Sequence, residues 1–269
     1  MPISSNQLLF VSAITSRIPR IRGIGLLLAI IREFYIKRQC EMVEKDVLGS
    51  RMRLNPNNTI DNMLLFTPQY YDPEEFRIIR SIVSTGDYVI DVGGNVGAYA
   101  LLFGRLVGST GKVTTIEANP AMAVILTENI AMNKMNWVQV RNAGASDKIE
   151  QLELSINVTG NPGASTFLET GGESRKQLVN CAPLVELIDQ SRRPTLIKLD
   201  IEGFEYRVLK NYFENIPVEL RPPYLMVEDT EAHRENDTMS LMNVFGYKAT
   251  RRIGHNVFLT QEISKNSKI

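Results

Sequence analysis

The stretch Asp91-Val92-Gly93-Gly94-Asn95-Val96-Gly97 decides the fold of this 269-residue chain. It begins inside the apolar run Tyr88–Val92, which predicts a buried strand, and apolar residues at helical spacing follow it. Glycine in such a turn allows a positive φ and leaves no Cβ where a ligand approaches the backbone. The first N–H groups of the following helix then face the crevice at the strand ends, where open α/β sheets bind their ligands.

Short apolar runs and amphipathic segments alternate along the rest of the chain. Asp72-Pro73 and Asn119-Pro120 each predict a helix start, with a capping residue before a proline. Seven strands are predicted, at residues 88–92, 112–117, 137–141, 196–199, 224–227, 247–253 and 256–260. The alternation predicts a doubly wound, mostly parallel sheet with helices on both faces. The last two strands are joined by a turn at Gly254-His255, so one strand should run antiparallel.

Two segments depart from this alternation. Residues 148–182 predict a hairpin-like insertion, with one strand at 151–158, a turn at 160–163 and a return near 165–168. Residues 1–58 precede the sheet, and we assign them to an N-terminal helical extension of the domain formed by residues 59–269.

Composition excludes several classes of protein. Hydrophobic residues make up 43% and charged residues 22%, as in an ordinary globular protein. Thirty basic residues balance thirty acidic ones, which argues against a protein that mainly coats nucleic acid. Two cysteines and two histidines, His233 and His255, do not assemble a zinc site, and both histidines are expected to be solvated. We predict a cytoplasmic location, because the cysteine content fits a reducing compartment.

The first forty residues combine apolar and basic character. The run of residues 24–31 is apolar but much shorter than the roughly 20 residues that span a membrane. Around it, six basic residues against Glu33 leave a local excess of five positive charges. One interpretation is an interfacial helix on anionic lipid at the inner face of the membrane. The other is a helix packed on the core with a solvated basic edge.

The charge beside the glycine turn discriminates between ligands. The dinucleotide fingerprint Gly-x-Gly-x-x-Gly would place a pyrophosphate on the helix, but here the glycines occupy positions 93, 94 and 97, with Asp91 two residues before them. A carboxylate repels a pyrophosphate and attracts a cation, which favours a cationic nucleoside such as S-adenosylmethionine. Glu117, at the end of the second strand, is placed to accept ribose hydroxyls. The structural alternatives are a capping role for Asp91 and a solvated strand-end charge for Glu117.

Three blocks resemble the signature blocks of the FkbM family of methyltransferases: residues 91–97, 116–120 and 197–205. The similarity runs from about Thr59 to Thr260 and includes the turn at 142–147 and the loop from Gly160. It implies a class I methyltransferase (Rossmann-like) fold, S-adenosylmethionine as donor, and a hydroxyl acceptor on a sugar, a glycolipid or a secondary metabolite. In these blocks and the 142–147 turn, the expected donor-binding residues are Asp91, Gly93, Asn95, Gly97, Glu117, Asn119, Ser146 and Asp147.

Charged residues alternate along the fourth predicted strand. Lys198, Asp200 and Glu202 share one face if the strand extends that far. Burying a charged side chain is costly unless it is paired with an opposite charge or has a role in binding or catalysis. Our hypothesis is that Asp200 or Glu202 removes the acceptor proton, or that these acids, with Glu228, hold a divalent cation. Alternatively, Lys198 forms a structural ion pair with Glu202, and Asp200 only contacts the donor.

Other functions stay open at this level. The glycine spacing argues against an NAD-dependent oxidoreductase on the same fold. The presence of the acidic residues of the expected donor site argues against a non-catalytic binding protein. Methylation of nitrogen or carbon is also open. Tyr70, Tyr71 and Tyr99 either line an acceptor pocket or fill the core. The expected partner is a small-molecule, glycan or glycolipid acceptor and not nucleic acid, and the oligomeric state is undetermined.

Overall fold

The protein is described by a computed structural model that covers residues 4–21, 24–38, 40–157, 166–167, 174–229 and 237–262. The helices are α1 Ser5–Thr15, α2 Ile24–Ile36, α3 Thr59–Phe66, α4 Pro73–Ile82, α5 Ala98–Val107, α6 Pro120–Met132, α7 Leu184–Leu187, α8 Glu205–Asn215 and α9 Thr238–Val244. The strands are β1 Val43–Val47, β2 Ser50–Leu54, β3 Tyr88–Val92, β4 Lys112–Glu117, β5 Val138–Asn142, β6 Gly144–Ser146, β7 Glu150–Asn157, β8 Ser174–Pro183, β9 Leu196–Leu199, β10 Tyr224–Glu228, β11 Tyr247–Ile253 and β12 Asn256–Gln261.

A seven-stranded sheet forms the centre of the fold, in the order β11-β12-β10-β9-β3-β4-β5. Strands β5, β4, β3, β9 and β10 pair in parallel, whereas β12 is antiparallel to both of its neighbours. The predicted mostly parallel sheet with one reversed strand is therefore confirmed. From β3 the chain moves first towards β4 and later to β9 on the other side, so the strand order reverses between β3 and β9. Ligands bind at such a switch point in open α/β sheets.

The sheet separates two apolar layers. Val89 and Leu196 point into one layer, which includes Phe103 of α5, while Ile90 and Ile197 point into the other, which includes Tyr212 of α8. Successive side chains of a strand face opposite sides, so a central strand covered on both faces must be apolar throughout, and β3 departs from this only at Asp91.

Both predicted helix starts are confirmed, at Pro73 and Pro120, but only one of the two preceding residues caps its helix through its side chain. Asn119 caps α6, since its side chain accepts a hydrogen bond from the backbone N of Ala121 at 3.0 Å. Asp72 precedes α4 but does not cap it with its side chain. It has a φ of 40°, and its carboxylate accepts a hydrogen bond from the Tyr99 hydroxyl at 2.8 Å instead.

The insertion is a hairpin, as predicted, but its return strand lies later in the sequence. β8 pairs with β7 in an antiparallel register and with β6 in parallel. Of the predicted return near 165–168, only Thr166 and Phe167 are described, and Thr166 forms an isolated antiparallel bridge to Ser155. The predicted turn at 160–163 lies outside the described residues.

The N-terminal extension contains a β-hairpin that the sequence prediction missed. β1 and β2 pair across a two-residue turn in which Leu48 and Gly49 both have positive φ. Such turns normally carry Asn-Gly or Asp-Gly, so leucine concealed the signal. The hairpin is joined to α6 by Asn129, whose side chain accepts a hydrogen bond from the Arg53 backbone N at 2.7 Å. Leu8 of α1 belongs to the core cluster. A domain boundary at residue 58 stays a prediction.

We predict that Gly93→Ala destabilises the fold more than a matched glycine substitution. Gly93 has a φ of 87°, and an added Cβ would lie 1.9 Å from the carbonyl oxygen of Asp200. Gly246 has a φ of 82° with nothing within 4 Å of an added Cβ. Gly246→Ala should therefore lower the free energy of unfolding only by the cost of a left-handed alanine, about 1–2 kcal/mol. Gly93→Ala should lower it by at least ~2 kcal/mol more, because its Cβ also clashes. Urea unfolding measures both, and equal losses would contradict the close approach of the turn to β9.

Candidate functional site

A cavity opens at the carboxyl ends of β3, β4 and β9, where the strand order reverses. Gly93, Gly94 and Asn95 from the turn after β3 line it, as do Glu117 at the end of β4 and Lys198 on β9. Further lining residues are Ile60, Tyr71, Val92, Val96, Ala98, Tyr99, Ile116, Ala118, Ala143, Ala145, Leu154, Phe167, Asp200, Ile201 and Glu202. The cavity thus combines a backbone-lined end with an end of aromatic and acidic side chains.

The glycine turn is fixed between two strands. The backbone N–H groups of Gly93 and Gly94 donate to the Ile116 carbonyl at 2.9 and 3.0 Å. Asn95 follows with a φ of 48°. Its side-chain Oδ1 is buried and has no hydrogen-bond partner within the described residues. A buried acceptor without a partner is costly, so Asn95 is suited to receive a hydrogen bond from a ligand in the cavity.

Glu117 is held in place by the backbone. Its Oε2 accepts a hydrogen bond from Asn95 N at 2.8 Å and its Oε1 one from Asn119 N at 2.7 Å. Burial raises the pKa of Glu117 to about 7, although these two hydrogen bonds oppose the shift. A carboxylate offers about four acceptor positions, so two remain for hydroxyl groups of a ligand.

Asp91 lies beneath the cavity and not at its surface. The side chain is fully buried, accepts a hydrogen bond from the Thr115 hydroxyl at 3.1 Å, and faces Lys198 Nζ at 3.6 Å. This position departs from the predicted direct contact with a cationic ligand, because Lys198 already balances the carboxylate charge. The predicted capping alternative is not formed either, since the first turn of α5 is capped at Gly97.

Lys198 forms a buried cation between two carboxylates. Its Nζ lies 3.3 Å from Asp200 Oδ2 and 4.8 Å from the centroid of the Tyr99 ring. Burial by itself lowers the pKa of Lys198, but the charges of Asp200 and Asp91 more than compensate and raise it above its ordinary value. The ammonium group therefore stays protonated and holds the Asp200 carboxylate at the cavity.

The predicted alternation ends before Glu202. β9 stops at Leu199, and Glu202 has a φ of 53° in the loop that follows. The predicted alternative, an ion pair between Lys198 and Glu202, is wrong, because the partners of Lys198 are Asp91 and Asp200. Glu205 closes this loop by accepting hydrogen bonds from the backbone N atoms of Ile201 at 2.8 Å and Gly203 at 2.9 Å.

Three carboxylates converge at the edge of the cavity. Asp200, Glu202 and Glu228 each offer an oxygen within 4.8 Å of the others. Burial, followed by the charges of Asp200 and Glu202, raises the pKa of Glu228 to about 8. Burial, followed by the charge of Asp200, also raises the pKa of Glu202. Glu228 therefore carries a proton near neutral pH. An oxygen-only donor set fits Mg²⁺, Mn²⁺ or Ca²⁺, and a bound cation stays a prediction.

Besides Asp91, four of the predicted donor-binding residues lie outside the cavity lining and have other partners. Gly97 is the N-cap residue of α5 and packs near Leu126. Asn119 caps α6. The Ser146 hydroxyl donates to Glu150 at 2.7 Å, and Asp147 pairs with Arg207 at 2.6 Å. Ala118, Ala143 and Ala145 line the cavity in these segments instead, so the backbone and methyl groups, not the polar side chains, face the ligand space.

The aromatic end of the cavity was only partly predicted. Tyr71 and Tyr99 line it and also pack in the core cluster, so both interpretations of these residues stay open, whereas Tyr70 is not among the lining residues. Leu154 and Phe167 of the insertion also line it and were missed. Their approach depends on a long-range contact, in which the Thr166 hydroxyl donates to the Glu202 carbonyl at 2.9 Å. His255 lies in the β11–β12 turn as predicted, and His233 lies outside the described residues.

Comparison with known proteins gives one family match. Residues 91–249, more than half of the chain, match the model described as the methyltransferase FkbM domain. No curated protein matches the chain. A solved S-adenosylmethionine-dependent O-methyltransferase from Thermotoga maritima is 15% identical, with 72% of this chain and 67% of that chain covered and a TM-score of 0.44. The tRNA (uracil-54, C5)-methyltransferase of Pyrococcus abyssi, solved with S-adenosyl-L-homocysteine, is 12% identical, with 82% and 44% covered and a TM-score of 0.47.

We predict that Glu228→Gln reduces the pH dependence of stability. The pKa of Glu228 is raised in the folded protein, to about 8. Its contribution to stability is therefore complete below the pKa that Glu228 has in the unfolded chain, and it is lost as pH rises through the pKa of the folded protein. Between about pH 5 and about pH 9, the unfolding free energy of the wild type should fall roughly 1–3 kcal/mol more than that of the variant, allowing for partial solvent screening.

The matched control is Glu214→Gln, at an exposed position on α8, which should follow the wild type at both pH values. Urea unfolding measures the three proteins. A Glu228→Gln variant with the same decline as the wild type would contradict the crowding of the three carboxylates.

Proposed function

The chain belongs to the FkbM family of methyltransferases, and we propose that it transfers a methyl group from S-adenosylmethionine to a hydroxyl oxygen. Its acceptor is a sugar, a glycolipid or a hydroxylated secondary metabolite. The observation that carries the proposal is Asp200, whose side chain is 41% exposed and lines the cavity beyond the end of the central strand β9. A fixed carboxylate at that point suits removal of a hydroxyl proton.

The backbone-lined end of the cavity is the donor half. Glu117, with acceptor positions to spare, is oriented for the two ribose hydroxyls, and the buried Oδ1 of Asn95 is a further acceptor. S-adenosylmethionine supplies an electrophilic methyl group on a sulfonium. Lys198 balances only one of the two carboxylates that it contacts, Asp91 and Asp200. The attraction for this cation therefore comes from the remaining negative charge and from Glu202, which lines the same cavity as Asp200.

The aromatic end is the acceptor half. Tyr71 and Tyr99 form a wall there, and the Tyr99 hydroxyl is fixed by its hydrogen bond to Asp72. The acceptor oxygen must lie in line with the methyl carbon and the sulfur. As the oxygen–carbon bond forms and the carbon–sulfur bond breaks, the sulfur becomes a neutral thioether and Asp200 takes the hydroxyl proton. Glu202 is the second candidate base, because it lies in the same carboxylate cluster.

Two other properties follow as proposals. We propose a cytoplasmic location, in which the free thiols of Cys40 and Cys181 would be preserved. A divalent cation held by Asp200, Glu202 and Glu228 would lower the pKa of the acceptor hydroxyl. That alternative predicts loss of activity on exhaustive chelation, whereas proton transfer to Asp200 alone predicts none.

We predict that Asp200→Asn lowers kcat by about 10²–10⁴-fold, the usual contribution of a general base. The affinity for S-adenosylhomocysteine, measured by calorimetry, should change only a few-fold, because Glu117 and Asn95 are unaltered. The assay uses a donor with a ¹³C-labelled methyl group and a hydroxyl-bearing glycan or glycolipid acceptor, and the chemical shift of the product separates methoxy from N-methyl groups.

The matched control is Asp46→Asn, at a position with a side chain that is 77% exposed on β1, which should retain full turnover. Turnover of Asp200→Asn close to wild type would remove Asp200 from the chemistry. Labelled N-methyl product with every acceptor would replace the hydroxyl proposal with methylation of nitrogen.

A further inference from the structure

Exposed apolar side chains are concentrated on the first two helices. In the described part of the chain, twelve large hydrophobic side chains are exposed, and seven of them lie between residues 10 and 34. They are Phe10, Ile14, Ile21, Leu26, Leu27, Ile30 and Phe34. Single exposed apolar residues are ordinary, but a concentration of them marks an interaction site.

Five of these side chains define a surface that we call the N-terminal apolar face: Phe10, Ile14, Leu26, Ile30 and Phe34. On α2, residues 26, 30 and 34 follow one another at intervals of four, and on α1 residues 10 and 14 do the same, so each set lies on one side of its helix. Phe10 and Phe34 line the same groove between the two helices.

The face does not pack on the core of the protein. Leu28 is the buried residue of α2, and the remaining large apolar side chains that point outward have no cover from the described residues. The sequence left open whether this helix packs on the core with a solvated basic edge. One side of α2 does pack there, since Leu28 is buried and the Tyr35 ring stacks on Phe66 of the core. Leu26 and Ile30, at 74% and 60% exposure, lie outside that contact.

Basic side chains border the face. Arg17, Arg20, Lys37 and Arg38 are exposed, and the Arg38 guanidinium lies 3.8 Å from the centroid of the Phe34 ring. Of the acids near these helices, Glu33 is paired with Lys37 at 2.6 Å, and Glu41 accepts a hydrogen bond from the Ser5 hydroxyl at 3.2 Å. Because the whole chain has a formal net charge of zero, this positive border is a local feature. An apolar face with a cationic border is complementary to anionic headgroups above hydrocarbon.

We propose that the N-terminal apolar face binds the surface of an anionic lipid membrane, with α1 and α2 lying in its plane. No helix among the described residues is long and apolar enough to cross a bilayer, and α2 has 13 residues. A second copy of the chain is a poorer occupant, because a two-fold interface through this face would bring like-charged borders together.

The experiment is vesicle flotation of the full chain, with vesicles of phosphatidylcholine alone or of phosphatidylcholine mixed with phosphatidylglycerol. The wild type should float with the anionic vesicles, and less so at high salt. Leu26→Glu/Ile30→Glu should lower the affinity at least ~tenfold. Arg17→Gln/Arg20→Gln should lower it about fivefold per residue. The matched control, Leu178→Glu/Val244→Glu, changes exposed apolar residues elsewhere and should bind as the wild type does.

Thermal unfolding verifies that each variant is folded, and flotation needs neither donor nor acceptor, so its outcome is independent of the proposed function. Failure of the wild type to float with anionic vesicles would overturn the proposal. So would equal flotation of Leu26→Glu/Ile30→Glu. A wild-type dimer in ultracentrifugation that this variant converts to monomer, without vesicle binding, would assign the face to a second copy.

Discussion

The buried ammonium group of Lys198 links the two central strands, because it lies between Asp91 on β3 and Asp200 just beyond the end of β9. Asp91 and Lys198 are register partners in the parallel pair β3–β9, and Asp200 follows directly after β9. Removing one partner from a buried ion pair strands the other charge, which typically costs about 3–5 kcal/mol. The same interaction that ties the strands together at the switch point therefore also fixes the Asp200 carboxylate that lines the cavity.

Much of the fold and part of the site follow from local sequence patterns. Strand ends, glycine turns and apolar periodicity are short-range signals, so they placed Gly93, Asn95, Glu117 and Asp200 at one edge of the sheet. Which residue a side chain contacts depends on segments that are far apart in the sequence, so local patterns do not predict it. Asp91 precedes the turn as expected, but the sequence does not show that Lys198 reaches it across the strand pair. Ser146 and Asp147 are in matching segments, yet Glu150 and Arg207 engage their side chains.

Two other features required the three-dimensional arrangement. Phe167 reaches the cavity only because the insertion folds back over the loop that holds Glu202, and no periodicity in the sequence encodes that contact. The apolar run at the start of α2 has the same composition whether it is buried or exposed. Only the three-dimensional arrangement shows that Leu28 is buried whereas Leu26, Leu27, Ile30 and Phe34 remain exposed.

The most direct test of the proposed division of the cavity is a crystal structure of the protein with S-adenosylhomocysteine. We expect the ribose hydroxyls on Glu117, the thioether sulfur directed towards Asp200, and Lys198 still between Asp91 and Asp200. A nucleoside bound away from Glu117, or a sulfur that points away from the acidic and aromatic end, would contradict the assignment of donor and acceptor halves.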